Sequence, residues 1–404
     1  MGKRWRARGR PWAMSLAPTR WAVCLVMGAL LAGALSGCQP AAAYYVDARH
    51  GSDANPGTSP TSAWRTLRKA SSVPSGAQLH LRAGQIFAGT LTIPGSHVEV
   101  AGYDTGPRPI IERGTYAGIE IRGDDVVVHG LVIRHNVAGI WTRAGAERSV
   151  VHHNRLVDND RMSVNTRGGH NDSGAFGVLI HGDEGEFHDN VITGSDASSY
   201  DYGRDGAAFE VYGGSRNRIY RNTARDNQTF VELGKASTDP DAVDNEFAYN
   251  RISGVAAKML GIVTRGAGSY GPVRGTRFRN NTIDLTGAGS QGFVCSACSA
   301  GVLVMANNIV RAAGKVGYVR GTFGGDHNLY WGGPRRFRPR PHDLVAHPGF
   351  VSERDLRLRP SSPARNSGAP SAWDTDRDGT PVPQEASTDR GAYEFHAPSG
   401  KALR

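Results

Sequence analysis

One short pattern recurs seven times between residues 118 and 297: GIEIRG (118–123), GIWTRA (139–144), GVLIHG (177–182), AFEVYG (208–213), FVELGK (230–235), GIVTRG (261–266) and GFVCSA (292–297). Each run alternates apolar residues with a period of two, which is the signature of a strand. A second run, built around asparagine, follows most of them, at Asn154, Asn190, Asn222, Asn250, Asn281, Asn308 and Asn328. Gly and Asn between the runs supply turns, and no stretch in this region carries a convincing 3.6-residue stripe. Short strands repeating every 20–30 residues cannot bury a face alone, so they stack as a solenoid. A β-sandwich would not hold Asn at one fixed position of each unit. The pattern therefore predicts an all-β, single-stranded, right-handed parallel β-helix, with the asparagines forming an internal ladder at one turn.

The coils are expected over residues 78–330, preceded by a lead-in and cap (38–77) and followed by a loop-rich tail (331–404). Two end segments carry a family resemblance. YYVDARHGSDANPGTSPTSAWRTLRKAS (44–71), together with GPRPII (106–111) and HPGFVSERDLRLRPSSPARNSGAP…DRGAYEF (347–395), resembles the pectate-lyase-like parallel β-helix superfamily. The resemblance implies the fold and leaves the reaction open.

The chain carries a formal charge of +10, which invites a nucleic-acid reading. Six of its basic residues lie in 1–37, where there is no acidic residue; removing them leaves 41 basic against 37 acidic. The excess belongs to a leader, so no nucleic-acid partner is expected. Basic residues precede the apolar run WAVCLVMGALLAGAL, which is short for a membrane span. Met14, with the signal immediately behind it, is a second candidate start. Leu35-Ser36-Gly37-Cys38 resembles a bacterial lipobox, implying lipidation at Cys38, export and a membrane anchor; Gln39 is compatible with an outer-membrane destination in a Gram-negative cell. A monomer is expected. In an exported chain, Cys295 and Cys298 are expected as a local disulfide rather than a metal site.

Strand alternation then assigns an outer face. With Ile119 and Ile121 inward, Glu120 and Arg122 point out. The same phase puts Trp141 and Arg143, Leu179 and His181, Glu210 and Tyr212, Glu232, and Val263 and Arg265 on one side. Adjacent coils stack at about 4.8 Å, so Glu210 and Glu232 should be neighbours one rung apart. Two ionised carboxylates that close need a cation, a shared proton or an arginine between them. Asp205 adds a third carboxylate, while Lys235 and Lys258 lie on or near the same face. The excursions Val157–Phe176 and Thr193–Arg204 are long enough to wall a groove.

Three uses of this face are weighed. In a polysaccharide lyase acting on a uronate, Asp205, Glu210 and Glu232 would ligate Ca²⁺. Arg265, Lys258, His181 and Tyr212 would then be the base and acid candidates, and Arg143, Trp141 and Lys235 would bind substrate. Asp205-Gly206 and Glu232 resemble the ends of the family 9 pectate-lyase calcium segment. Where that family has consecutive aspartates, this chain has Asn227-Gln228-Thr229. Its base is a lysine in a later coil, a part that Arg265 or Lys258 would have to take. Family 6 alginate and chondroitin lyases also carry paired glutamates, but their Lys–Arg pair has no clear match here. The second use is glycoside hydrolysis by Glu210 and Glu232, since one rung falls near the ~5–5.5 Å of a retaining pair. The third is glycan binding without catalysis, with Trp141, Tyr212 and Phe230 as stacking platforms. Of the three, β-elimination is the favoured expectation. Asp374–Glu385 matches the EF-hand consensus but contains Pro381 and Pro383 and lacks flanking helices, so a plain loop is expected there. The basic run 335–341 is expected to be a solvated surface.

Overall fold

The computed structural model describes residues 41–236 and 238–396; the leader and Cys38 lie outside the described residues. The chain winds as a parallel β-helix with three sheets. The first has ten strands and runs from Ala43–Val46 to Leu303–Ala306. The second, also of ten, runs from Leu91–Ile93 to Arg335–Arg336, and the third, of eleven, from Ile86–Ala88 to Leu344–Val345. Consecutive strands go to different sheets. Glu186–His188, Val191–Thr193 and Ala207–Tyr212, for example, belong to the first, third and second, and every pairing within the three is parallel. The winding is right-handed, the sense that parallel crossovers take almost without exception.

Alternation builds the core as columns. Ile119, Ile140, Val178, Phe209, Val231, Ile262 and Phe293 are in register on successive coils, and each is fully buried. Burial of each such side chain is worth about 1.5–3 kcal/mol. The recurrent glycine that opens the runs has a steric cause. A Cβ on Gly139 would lie 2.9 Å from Leu156 Cδ2, and one on Gly177 would lie 2.6 Å from Ile192 Cγ2, because two sheets converge at that corner. Phe230 occupies the same position in its own coil. Its ring turns inward against Phe209, Phe247 and Phe278 and is 1% exposed. It is therefore a core residue and no stacking platform; alternation fails at this first position because the chain is rounding the corner.

The asparagine ladder is formed as expected. Each Nδ2 donates to the Oδ1 of the next rung, from Asn154→Asn190 (3.2 Å) through Asn222→Asn250 (3.0 Å) to Asn308→Asn328 (2.9 Å). The second amide hydrogen goes to a main-chain carbonyl one rung back, as in Asn222 Nδ2→Phe187 O (2.8 Å). Each Oδ1 also accepts the backbone N–H of the preceding ladder residue, as in Asn190 N→Asn222 Oδ1 (3.0 Å). All four capacities of the buried amide are thus used. Asp343 ends the row, accepting from Asn328 N and Nδ2. Each ladder residue follows one with positive φ, among them His153 (54°), Asp189 (54°) and Arg221 (55°). The left-handed region costs a non-glycine residue about 1–2 kcal/mol, which the ladder bonds offset.

Regular coils extend past residue 330, since Arg335–Arg336 and Leu344–Val345 still pair in parallel. Phe337, within the basic run, closes that end of the core against Phe293 and Tyr330. At the other end the short helix Leu67–Ala70 buries Leu67 and Ala70, with Thr66 capping it through Lys69 N. The tail folds back along the ladder corner: Arg377 reaches the carbonyls of Arg221 and Asn222, and Gly391 N bonds Asn307 O. The EF-hand-like stretch is a plain loop. Asp376 accepts the backbone N–H groups of Asp378, Thr380 and Glu394, and Glu385 pairs with Arg365. Cys295 and Cys298 are joined by a disulfide.

Removing one amide from the row orphans several buried groups, each worth roughly 1–3 kcal/mol. Asn222→Ala should therefore lower unfolding stability by at least about 3 kcal/mol in urea titrations. A loss under about 1 kcal/mol would mean that the ladder is dispensable.

Candidate active site

The outer column of the second sheet reads Glu120, Trp141, Leu179, Glu210, Glu232, Val263, each in register with the next. Glu210 and Glu232 are direct partners on adjacent coils. They lie in a cleft of about 1320 Å³, larger than the roughly 300–1,000 Å³ of small-molecule sites. Asp205, His181, Tyr212, Lys258 and Arg265 line the same cleft.

The two excursions form its walls. Met162–Val164 pairs antiparallel with Ser173–Gly174, and Ala197–Ser199 with Gly203–Asp205. The two insertions brace each other. Asp172 accepts from Ser199 Oγ (2.7 Å) and Asp201 N (3.0 Å), and Asp201 in turn accepts from Gly168 N and Asn171 N. A third loop brings Tyr270, whose hydroxyl donates to His170 O (3.4 Å). Tyr116, Phe176, Tyr202 and Tyr270 supply aromatic walls that alternation did not find, three of them because they come from loops; the irregular lengths of 157–176 and 193–204 signalled the surroundings of Phe176 and Tyr202 alone.

The acidic groups differ sharply. Burial, then the neighbouring Glu232 and Asp205 charges, raise Glu210 well above the usual carboxylate range. Burial and Glu232 push Asp205 up to about 7. Glu232 is ion-paired with Arg265. Burial works against the Arg265 charge, but Glu232 outweighs it and the guanidinium pKa is raised. Burial and the two glutamates also raise Tyr212, which stays a phenol. Burial lowers His181. Trp141 Nε1 donates to His181 Nδ1 (2.9 Å), which leaves the ring proton of the neutral imidazole on Nε2.

Three of the expected residues stand outside the cleft lining. Arg143 bonds Glu120 (3.2 Å) and stacks on Trp141 at 3.9 Å, and Trp141 packs against Tyr116. Lys235 is tied to Asp241 at 2.8 Å, which also holds Arg274. For Trp141 and Arg143, position on the outer face was legible from the sequence, and for Lys235 position near it, but side-chain partners were not. The expected Ca²⁺ ligands fit a cation poorly. Among the described residues, the sets of three His, Cys, Asp or Glu whose ligand atoms all lie within 4.8 Å of one another do not include Asp205, Glu210 and Glu232. Arg265 already places a positive charge in that group.

Comparison with known proteins supports the architecture. The family described as "Right handed beta helix region" matches residues 169–328. No curated protein matches the chain. Among solved structures, XylC in complex with xylose is similar over 87% of this chain and 98% of its own (11% identity, TM-score 0.50). Pectate lyase Pel9A is similar over 88% and 96% (13%, 0.45). The GH136 lacto-N-biosidase from Eubacterium ramulus is similar over 76% and 67% (13%, 0.41). At these identities the likeness is one of fold.

A raised carboxyl binds its proton more tightly in the folded chain than in the unfolded one. Its contribution to stability is complete below the unfolded value of about 4 and is lost as pH rises through the folded one. Asp205→Asn should therefore gain stability relative to the parent as pH rises from about 4 to about 8, in thermal unfolding at stepped pH. A difference that does not change with pH would contradict the assignment of Asp205.

Proposed function

We propose that the protein is a glycoside hydrolase that cleaves a polysaccharide in this cleft, with Glu210 as general acid and Glu232 as nucleophile. The observation that carries the reading is the pair itself. Two carboxyl groups sit on paired positions of adjacent rungs, one buried with its pKa raised well above the usual carboxylate range, the other ion-paired with Arg265. Environments that push two carboxyls apart in this way divide acid from base.

Rung spacing of about 4.8 Å suits a retaining double displacement. Glu232 attacks the anomeric carbon while the Glu210 proton passes to the departing glycosidic oxygen. The Glu210 carboxylate then takes a proton from water, the water oxygen displaces Glu232 from the anomeric carbon, and both residues return to their starting states. His181 Nε2–H and the Tyr212 hydroxyl are donors for sugar hydroxyls, and the aromatic walls offer faces to sugar rings.

The lyase expected from the sequence is the second reading, and Lys258 is the observation that keeps it. Of the four base candidates, Arg265 and Tyr212 are held protonated, and the His181 nitrogen left free by Trp141 already carries a proton. Lys258 is exposed at the rim and, among the described lining residues, is the cation without an ion-pair partner. Export on a lipid anchor at Cys38 would bring either enzyme to an extracytoplasmic glycan.

Glu210→Gln should reduce turnover about 10²–10⁴-fold. Glu232→Ala should be inactive and be rescued by azide with formation of a glycosyl azide. Lys258→Ala and added chelator should each leave most activity in place. Products with ultraviolet-absorbing unsaturated ends, together with inactivity of Lys258→Ala, would overturn the hydrolase in favour of the lyase.

A further inference from the structure

A second cluster of chemically capable side chains lies on a different sheet from the cleft. His129, His152 and His188 hold the same position on consecutive strands of the first sheet. Their rings stack at 4.9 and 5.1 Å, within 9° of parallel, and Tyr220 continues the stack at 4.7 Å. His152 and His188 each end a strand, and the residue after each, His153 and Asp189, turns through positive φ. That turn sets the side chain of His153 beside His152 and that of Asp189 beside His188. His152 Nδ1 lies 2.8 Å from His153 Nδ1, and His188 Nδ1 lies 2.8 Å from Asp189 Oδ2. The result is a two-by-two array of three imidazoles and one carboxylate spanning two coils.

From this array we infer a transition-metal site of the Zn²⁺ class, with His153, His188 and Asp189 as ligands and His152 available as a fourth. The ligand atoms of His153, His188 and Asp189 already lie within 4.8 Å of one another. Tetrahedral Zn²⁺, with bonds of about 2.0–2.1 Å, separates its ligand atoms by about 3.3 Å, so small side-chain rotations complete the geometry. Imidazole nitrogens with one carboxylate oxygen select Zn²⁺, Cu²⁺ or Ni²⁺ over Ca²⁺ and Mg²⁺, which take all-oxygen shells. Both His153 and Asp189 immediately precede ladder asparagines, Asn154 and Asn190. A bound ion would therefore cross-link two coils at the corner where the backbone is held in its costliest conformation. The site is independent of the carboxylate cleft and does not rest on the hydrolase reading.

The test is Zn²⁺ titration of the full chain, carrying no histidine tag, by calorimetry and thermal unfolding, with Co²⁺ absorption reporting tetrahedral nitrogen–oxygen ligation. One Zn²⁺ should bind, raise the melting temperature, and be indifferent to millimolar Ca²⁺ and Mg²⁺. His153→Ala is an exposed change expected to leave the fold intact by circular dichroism, and it should weaken binding at least tenfold, as should His188→Gln. Asp326, His327 and His342 form a separate cluster near the end of the helix, so Asp326→Ala serves as the control and should leave the affinity unchanged. Absence of Zn²⁺ binding, or binding lost with Asp326→Ala and retained with His153→Ala, would overturn the assignment.

Discussion

Parallel hydrogen bonding between successive coils holds every position of one coil about 4.8 Å from its counterpart on the next, and the rest of the molecule follows from that repeat. Inside, like residues stack into apolar columns and saturated amide rows. Outside, the same repeat forces whatever the sequence puts at equivalent positions into contact. Glu210 and Glu232 are neighbours because their strands pair residue for residue. Two carboxylates in one column would repel, and the chain answers with burial of one, which raises its pKa, and an arginine beside the other.

The asparagine row makes that enforced proximity affordable. The corners require left-handed backbone at His153, Asp189, Arg221 and their equivalents, a recurring local cost. Amides that donate twice and accept twice on each rung hold those corners together and fix the register between coils. A slip of one residue would turn the acidic column inward and the apolar one outward. The ladder and the acid pair are thus linked through a single register.

Much of this was legible in the sequence because it is periodic. The fold, the ladder, the outer column and the partnership of Glu210 with Glu232 all follow from counting by two and recognising the repeat. What escaped is aperiodic. Phe230 obeys the period but sits at a corner, where the outward position points into the core. Arg143 lies where alternation puts it and Lys235 just past the end of its strand, yet Glu120 and Asp241 engage them, and such pairings depend on rotamers and loops. Tyr116, Tyr202 and Tyr270 enter the cleft from turns whose course no strand pattern encodes. Ca²⁺ was expected from the number of carboxylates, but their number says nothing about where their oxygens converge or that Arg265 stands among them.

The central claim is that, of the two paired glutamates, buried Glu210 keeps its proton well above the usual carboxylate range while Glu232 is ion-paired with Arg265. Carbon-13 NMR of glutamate carboxyl groups, assigned with Glu210→Gln and Glu232→Gln, measures this directly across a pH titration. The account predicts that the Glu210 resonance stays in its protonated position well above the pH at which an ordinary carboxyl ionises. Ionisation of Glu210 in the ordinary carboxylate range would contradict it.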